Sequence, residues 1–204
     1  MVSRTLPSFT SFTDDEAAPG LRREGAQVTR YRVDRVVPIV EPELAGVETG
    51  RALWRVELPG ELAVPDAPFI GVTTHVLYTD AATRGALAQM SAGPSGPTAV
   101  LIPIRKSAAW WALAQEQRQA YLEGSAARAG HIAIGKRHAA RIYRRLYHAR
   151  YLPGSAWDFL TYFEFPSGDA AAFSELCAAL RDPQQNPEWA FVEREVEIWM
   201  TRQD

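Results

Sequence analysis

One cysteine, Cys177, stands among 204 residues, so no disulfide can form within the chain. It falls in the helical pattern FSELCAALRD and reads as a buried, inert thiol rather than a nucleophile or ligand. No stretch approaches the roughly 18 apolar residues that a membrane helix needs. The opening segment, MVSRTLPSFTSFTDDEAAPG, has no apolar core followed by a small-residue cleavage site, so it does not read as a secretory signal. Cytoplasmic residence is the expectation. Neither sign of charge dominates: 22 basic against 24 acidic residues leave −2, which gives no global field for nucleic acid or an anionic membrane. An anionic substrate must then be drawn by a local cation.

Chemical motifs are equally sparse. There is no GxGxxG, no Walker loop and no GxSxG elbow, which sets aside nucleotide and acyl-transfer readings. The four histidines, His75, His131, His138 and His148, form no HExxH or Cys/His pair, so a metal centre made of protein ligands alone is not expected. The carboxylates of VEREVEI (192–198) alternate along a strand and read as a solvated face rather than a glycosidase pair. His75 and His148 read as structural and His138 as solvent-facing. His131 lies between a small-residue loop, GSAARAG, and the apolar IAIG, where an imidazole can project into a slot. A single histidine does metal chemistry if a porphyrin supplies the other four ligands. The rival for His131 is a helix-end imidazole satisfied by backbone.

What the chain does have is a 47% hydrophobic composition and a legible order of elements. Residues 1–26 are polar and read as a mobile tail. Strands are expected over 28–40, 52–58 and 69–78, with a short helix over 81–90 capped by Asp80. Then come a strand over 98–106 and a helix capped by Ser107 running through AAWWALAQEQRQAYLE. A short helix from 131, strands over 142–150 and 157–165, a helix over 169–180 and a strand over 190–200 complete the series. The second series is β-α-β-β-α-β, the ferredoxin-like arrangement. Residues 98–204 thus form one such half and 27–97 a degenerate one. The fold class is α+β, two units fused into an antiparallel barrel with helices outside and a pocket between sheet and helices.

The stretch from 144 to 165, RRLYHARYLPGSAWDFLTYFEF, is the most informative. Alternation puts Arg144, Leu146 and His148 on one side of the first strand. Phe159, Thr161 and Phe163 share a face of the second, so both faces read as covered. A guanidinium there loses hydration and calls for an anion or an acceptor cluster.

Together, IPIRKSAAWW (102–111), His131, RRLYHAR (144–150), WDFLTYFEF (157–165) and PEWAFVEREVEI (187–198) resemble chlorite dismutases, in particular the short, dimeric kind. The resemblance implies a haem b oxidoreductase that decomposes chlorite to chloride and dioxygen. By position, it implies His131 as the axial ligand of the haem iron and Arg144 as the distal catalytic cation. Glu188 matches the carboxylate that accepts from the ligand's other ring nitrogen. Lys106 and Tyr78 match groups near the haem propionates, and Trp110 and Trp111 match aromatics near the haem and the subunit contact. Thr161 and Phe163 are expected on the distal side. Where some relatives have a distal glutamine, Ser91 or nearby Gln89 stands here. The implied partners are a small anion, chlorite, and a second copy of the chain, with no nucleic acid and no membrane. A haem carrier or sensor and a coproheme decarboxylase are the alternatives, and Arg144 weighs against the decarboxylase.

Overall fold

Antiparallel pairing runs unbroken around one sheet until it meets itself. The structure, a computed structural model, describes residues 7–14, 25–40, 47–62, 64, 66–73 and 96–203. The described strands are β1 (Ser8–Thr13), β2 (Gln27–Val40), β3 (Ala52–Pro59), β4 (Phe69–Val72), β5 (Thr98–Lys106), β6 (Tyr143–His148), β7 (Phe159–Phe165) and β8 (Val192–Gln203). They close into a barrel in the order β1-β3-β2-β8-β5-β7-β6-β4, completed by β4 against β1. Around that ring the first four strands run fourth, first, third, second, and the last four do the same. The described helices are α1 (Ala108–Ala112), α2 (Gln115–Glu123), α3 (Gly130–His138) and α4 (Ala170–Arg181). The fold is therefore α+β, with an antiparallel barrel, as the element order predicts.

Period-two alternation gives the sheet two cores. Leu160 and Tyr162 of β7 point into the barrel with Phe12, Tyr31, Leu101 and Ile198. Phe163 and Phe165 point outward and pack with Val100, Ile102, Ile134 and Phe173 under α3 and α4. Strand β7 is buried on both sides, its apolar residues falling on both faces, with Thr161 and Glu164 buried among them. Pro38 is tolerated in β2 because it falls at a register shift between Pro38 and Val40.

Several expectations need correction. The stretch read as a mobile tail contains β1, whose Phe12 is 0% exposed. Its polar residues Thr10, Ser11 and Thr13 are buried as well, because barrel closure covers them whatever their hydropathy. Leu146, read as facing a core, is 38% exposed. The face read as solvated in VEREVEI is so only at Glu193: Glu195 and Glu197 are 5% and 7% exposed, and Arg181 of α4 lies 2.6 Å from Oε1 of each. His138 is half-buried rather than solvent-facing. The long helix after Ser107 is two helices. Ser107 does cap the first, accepting from the Trp110 N–H at 3.3 Å, but Leu113 and Ala114 are extended and the chain restarts at Gln115. His75, Tyr78, Gln89, Ser91 and the helix expected over 81–90 lie outside the described residues.

Candidate functional site

Two glycines set the position of His131. Gly124 (φ +80°) and Gly130 (φ +71°) cross so closely that a Cβ on Gly130 would sit 2.4 Å from Gly124 N. Both take the left-handed conformation that glycine adopts without steric cost. The Gly130 N–H donates to Gln185 O at 3.1 Å, which fastens the start of α3 to the segment leading into the 3-10 turn Pro187–Phe191. That turn carries Glu188.

Four charged or ionisable side chains from four elements then meet. His131 Nδ1 lies 2.8 Å from Glu188 Oε2, and Glu188 Oε1 lies 2.7 Å from Lys106 Nζ. On the other side of the ring, Arg144 Nη2 is 2.7 Å from His131 Nε2. With Nδ1 facing a carboxylate, the ring proton sits on Nδ1 and Nε2 keeps its lone pair, which accepts from the guanidinium. Burial lowers the His131 pKa; Glu188 pulls it back up, while Arg144 and Lys106 push it further down. Burial alone would raise the Glu188 carboxyl, but Lys106 and His131 outweigh it and hold it well below the usual carboxylate range. Burial also lowers the Arg144 pKa, although a guanidinium remains cationic at neutral pH.

These groups line one cavity between the outer face of the sheet and the helices. The space between its walls is about 490 Å³, including its open mouth. Ile102, Ile104, Phe163, Leu180, Trp189 and Val192 give it apolar walls, and Thr161 lies on the sheet side. Of the residues singled out from sequence, the structure brings together His131, Arg144, Glu188, Lys106, Thr161 and Phe163.

Lys106 is present, but not in the role expected. Its side chain is 5% exposed and committed to Glu188, because a register shift between Arg105 and Lys106 turns it toward the turn that carries the carboxylate. A buried ammonium needs such a counter-ion, so Lys106 is not free to meet a cofactor carboxylate. The tryptophans stand behind this wall. Trp110 packs on Tyr121 and Phe191, with Lys106 Nζ 5.0 Å from its ring. Trp111 stacks on Phe159 under Arg150 and donates through Nε1 to Asp158 at 3.2 Å. Asp158 also accepts from the Lys106 backbone N–H at 2.7 Å, so it anchors the end of β5.

Sequence reasoning missed the far end of the cavity, where Cys177, Arg181, Asn186 and Glu195 stand. Glu195 was detectable, since it shares strand parity with Glu197 opposite the apolar Val196 and Ile198. Asn186 donates from Nδ2 to Leu180 O at 2.7 Å while its Oδ1 has no partner, and no sequence signal marks it. Burial pushes the Cys177 thiol up to about 12. The folded form then keeps a proton that the unfolded chain loses near pH 9, so this contribution is complete below that pH and falls as pH rises. Unfolding by urea should show stability dropping from about pH 9 toward pH 12, by at most about 1.4 kcal/mol per pH unit. Cys177→Ala should flatten that slope. An equal slope in both proteins would assign it to other groups.

An imidazole whose Nε2 looks into an apolar cavity, a carboxylate behind it and a guanidinium opposite, on an antiparallel barrel backed by helices, define an α+β barrel protein with a one-histidine site. The chain belongs to the chlorite dismutase family, whose model matches residues 3–202. Members of that family bind haem. Among solved structures, the chain is similar to the dimeric chlorite dismutase of Nitrobacter winogradskyi, with 32% identity and a TM-score of 0.70 over 96% of this chain and 99% of that one. It also shares its fold with the chlorite dismutase of Candidatus Nitrospira defluvii in complex with imidazole, with 21% identity and a TM-score of 0.69 over 100% and 93% of the two chains. A chlorite dismutase of Ideonella dechloratans is 34% identical over 95 residues, which span 47% of this chain and 30% of that protein's length. Among the described residues, no helix is long and apolar enough to cross a membrane.

Proposed function

We propose that the protein is a haem b oxidoreductase that decomposes chlorite to chloride and dioxygen. The observation that carries the reading is the convergence of His131 and Arg144, from different elements, on one apolar cavity with Glu188 behind the imidazole. The residues fit the cofactor. Nε2 is the ring nitrogen of His131 turned away from Glu188, Ile102, Ile104 and Phe163 offer apolar lining, and the Arg144 guanidinium, 2.7 Å from Nε2, is the group that would have to swing aside for an iron to bind there.

His131 Nε2 would hold the haem iron, which, when bound, would supply the redox chemistry on chlorite. Glu188 holds the Nδ1 proton and so strengthens the donor character of Nε2. Arg144 would supply a permanent cation that binds and orients chlorite and keeps anionic fragments of it in the cavity. Thr161 and Phe163 line the same cavity, where limited hydration would strengthen the pull of Arg144 on an anion. The overall charge of −2 supplies no such attraction, and of the other cations in the lining Lys106 is paired with Glu188 and Arg181 with Glu195 and Glu197. Trp110 and Trp111 buttress the β5 end of the site.

The repeated strand order supports reading the barrel as two ferredoxin-like units, the second of which holds the haem. The same reading makes the protein a cytoplasmic homodimer, in keeping with the dimeric Nitrobacter relative. The family includes members that do not turn over chlorite, so activity is the deciding measurement. Haem-loaded protein is expected to show a Soret band and to evolve oxygen on an oxygen electrode when chlorite is added. A Soret band with no oxygen would leave a haem carrier or sensor; no Soret band would remove the haem reading altogether.

A further inference from the structure

Gly135 follows His131 by four residues on α3, so the two share a helix face one turn apart. It is buried and is not among the glycines with positive φ. A mid-helix glycine is less favourable than alanine, and nothing in this backbone asks for one. Outside its own helix, a Cβ at this position would meet a single group, Arg144 Nη1 at 3.4 Å. The bare Cα therefore faces the Arg144 guanidinium, whose other terminal nitrogen bonds to His131 Nε2 at 2.7 Å. The Phe163 ring lies 6.0 Å from Arg144 Cζ. The helix wall beside the imidazole is flat because residue 135 has no side chain.

We propose that Gly135 is a positioning residue for the planar cofactor, its bare backbone letting a flat conjugated group lie against α3 at His131 Nε2. The proposal rests on the haem reading above. Alanine adds one methyl group to the wall, and valine adds a branched side chain that stands beside the imidazole and tilts or excludes the plane. Arg144 can retreat from either, because its guanidinium is the end of a flexible chain, so the fold tolerates what the cofactor does not.

The test compares wild type, Gly135→Ala, Gly135→Val and the control Lys136→Ala, whose side chain is exposed. Melting temperature and haem affinity, by Soret titration, are measured for each. Gly135→Ala is expected to melt about 2–4 °C higher through helix propensity while binding haem more weakly. Gly135→Val is expected to weaken haem binding by about tenfold or more, as overpacking does, while Lys136→Ala leaves it unchanged. A folded valine variant with wild-type affinity overturns the proposal. Should valine prevent folding, the alanine variant decides, and unchanged affinity there overturns it equally. Wild type that takes up no haem defeats the haem reading, and this proposal with it; wild type that binds beside unaffected variants removes only the role of Gly135.

Discussion

Arg144→Ala is expected to retain haem and lose most chlorite turnover, by about tenfold or more, while releasing hypochlorite. The guanidinium lines the same cavity as His131 and stands 2.7 Å from its Nε2, so it would swing aside for an iron and then remain within reach of an anion held there. Among largely apolar walls its charge acts on an anion more strongly than it would in water, and it needs no reorganisation as the anion changes shape. The alanine removes the attraction and leaves His131 and Glu188 in place, which is why cofactor content should survive. Oxygen yield and a chlorination assay for hypochlorite, run together, separate loss of capture from loss of chemistry. Full turnover without chlorinated product would remove Arg144 from the reaction.

Glu188→Ala should have the largest effect on stability. Lys106 and Glu188 are 5% and 8% exposed at the side chain and lie 2.7 Å apart. Deleting the carboxylate strands an ammonium in the wall of the core, which costs about 3–5 kcal/mol. Replacing both partners with uncharged residues of similar shape, Lys106→Met with Glu188→Gln, should recover much of that loss. The recovery arises because a buried pair owes most of its apparent strength to the penalty of breaking it. Urea midpoints of Glu188→Ala and of the double variant measure this. A double variant as unstable as Glu188→Ala would locate the loss in the His131 contact instead.

The second half of the chain was legible because its signals are local. Ser107 caps, β7 is apolar on both faces, and the step from His131 to Arg144 spans one helix and the turn into β6, so proximity followed from neighbouring elements. The carboxylate partner of His131 was legible through family resemblance rather than spacing, since Glu188 arrives from a turn fifty-seven positions further on (188 against 131). The role of Lys106 was not legible. A one-residue irregularity against β8 decides which way its side chain turns, and no composition records that. The break at Leu113 and Ala114 carries neither proline nor glycine, so local propensity favoured a continuous helix where tertiary packing imposes two. SFTSFT escaped notice because hydropathy identifies strands that bury themselves, not strands that are enclosed by their neighbours.

That last strand changes how the amino terminus should be handled. Residues 8–13 are a stave of the cask, held between β3 and β4. Trimming the chain back to a tidier start point would take out the stave and leave two raw edges, ready to zip onto other molecules.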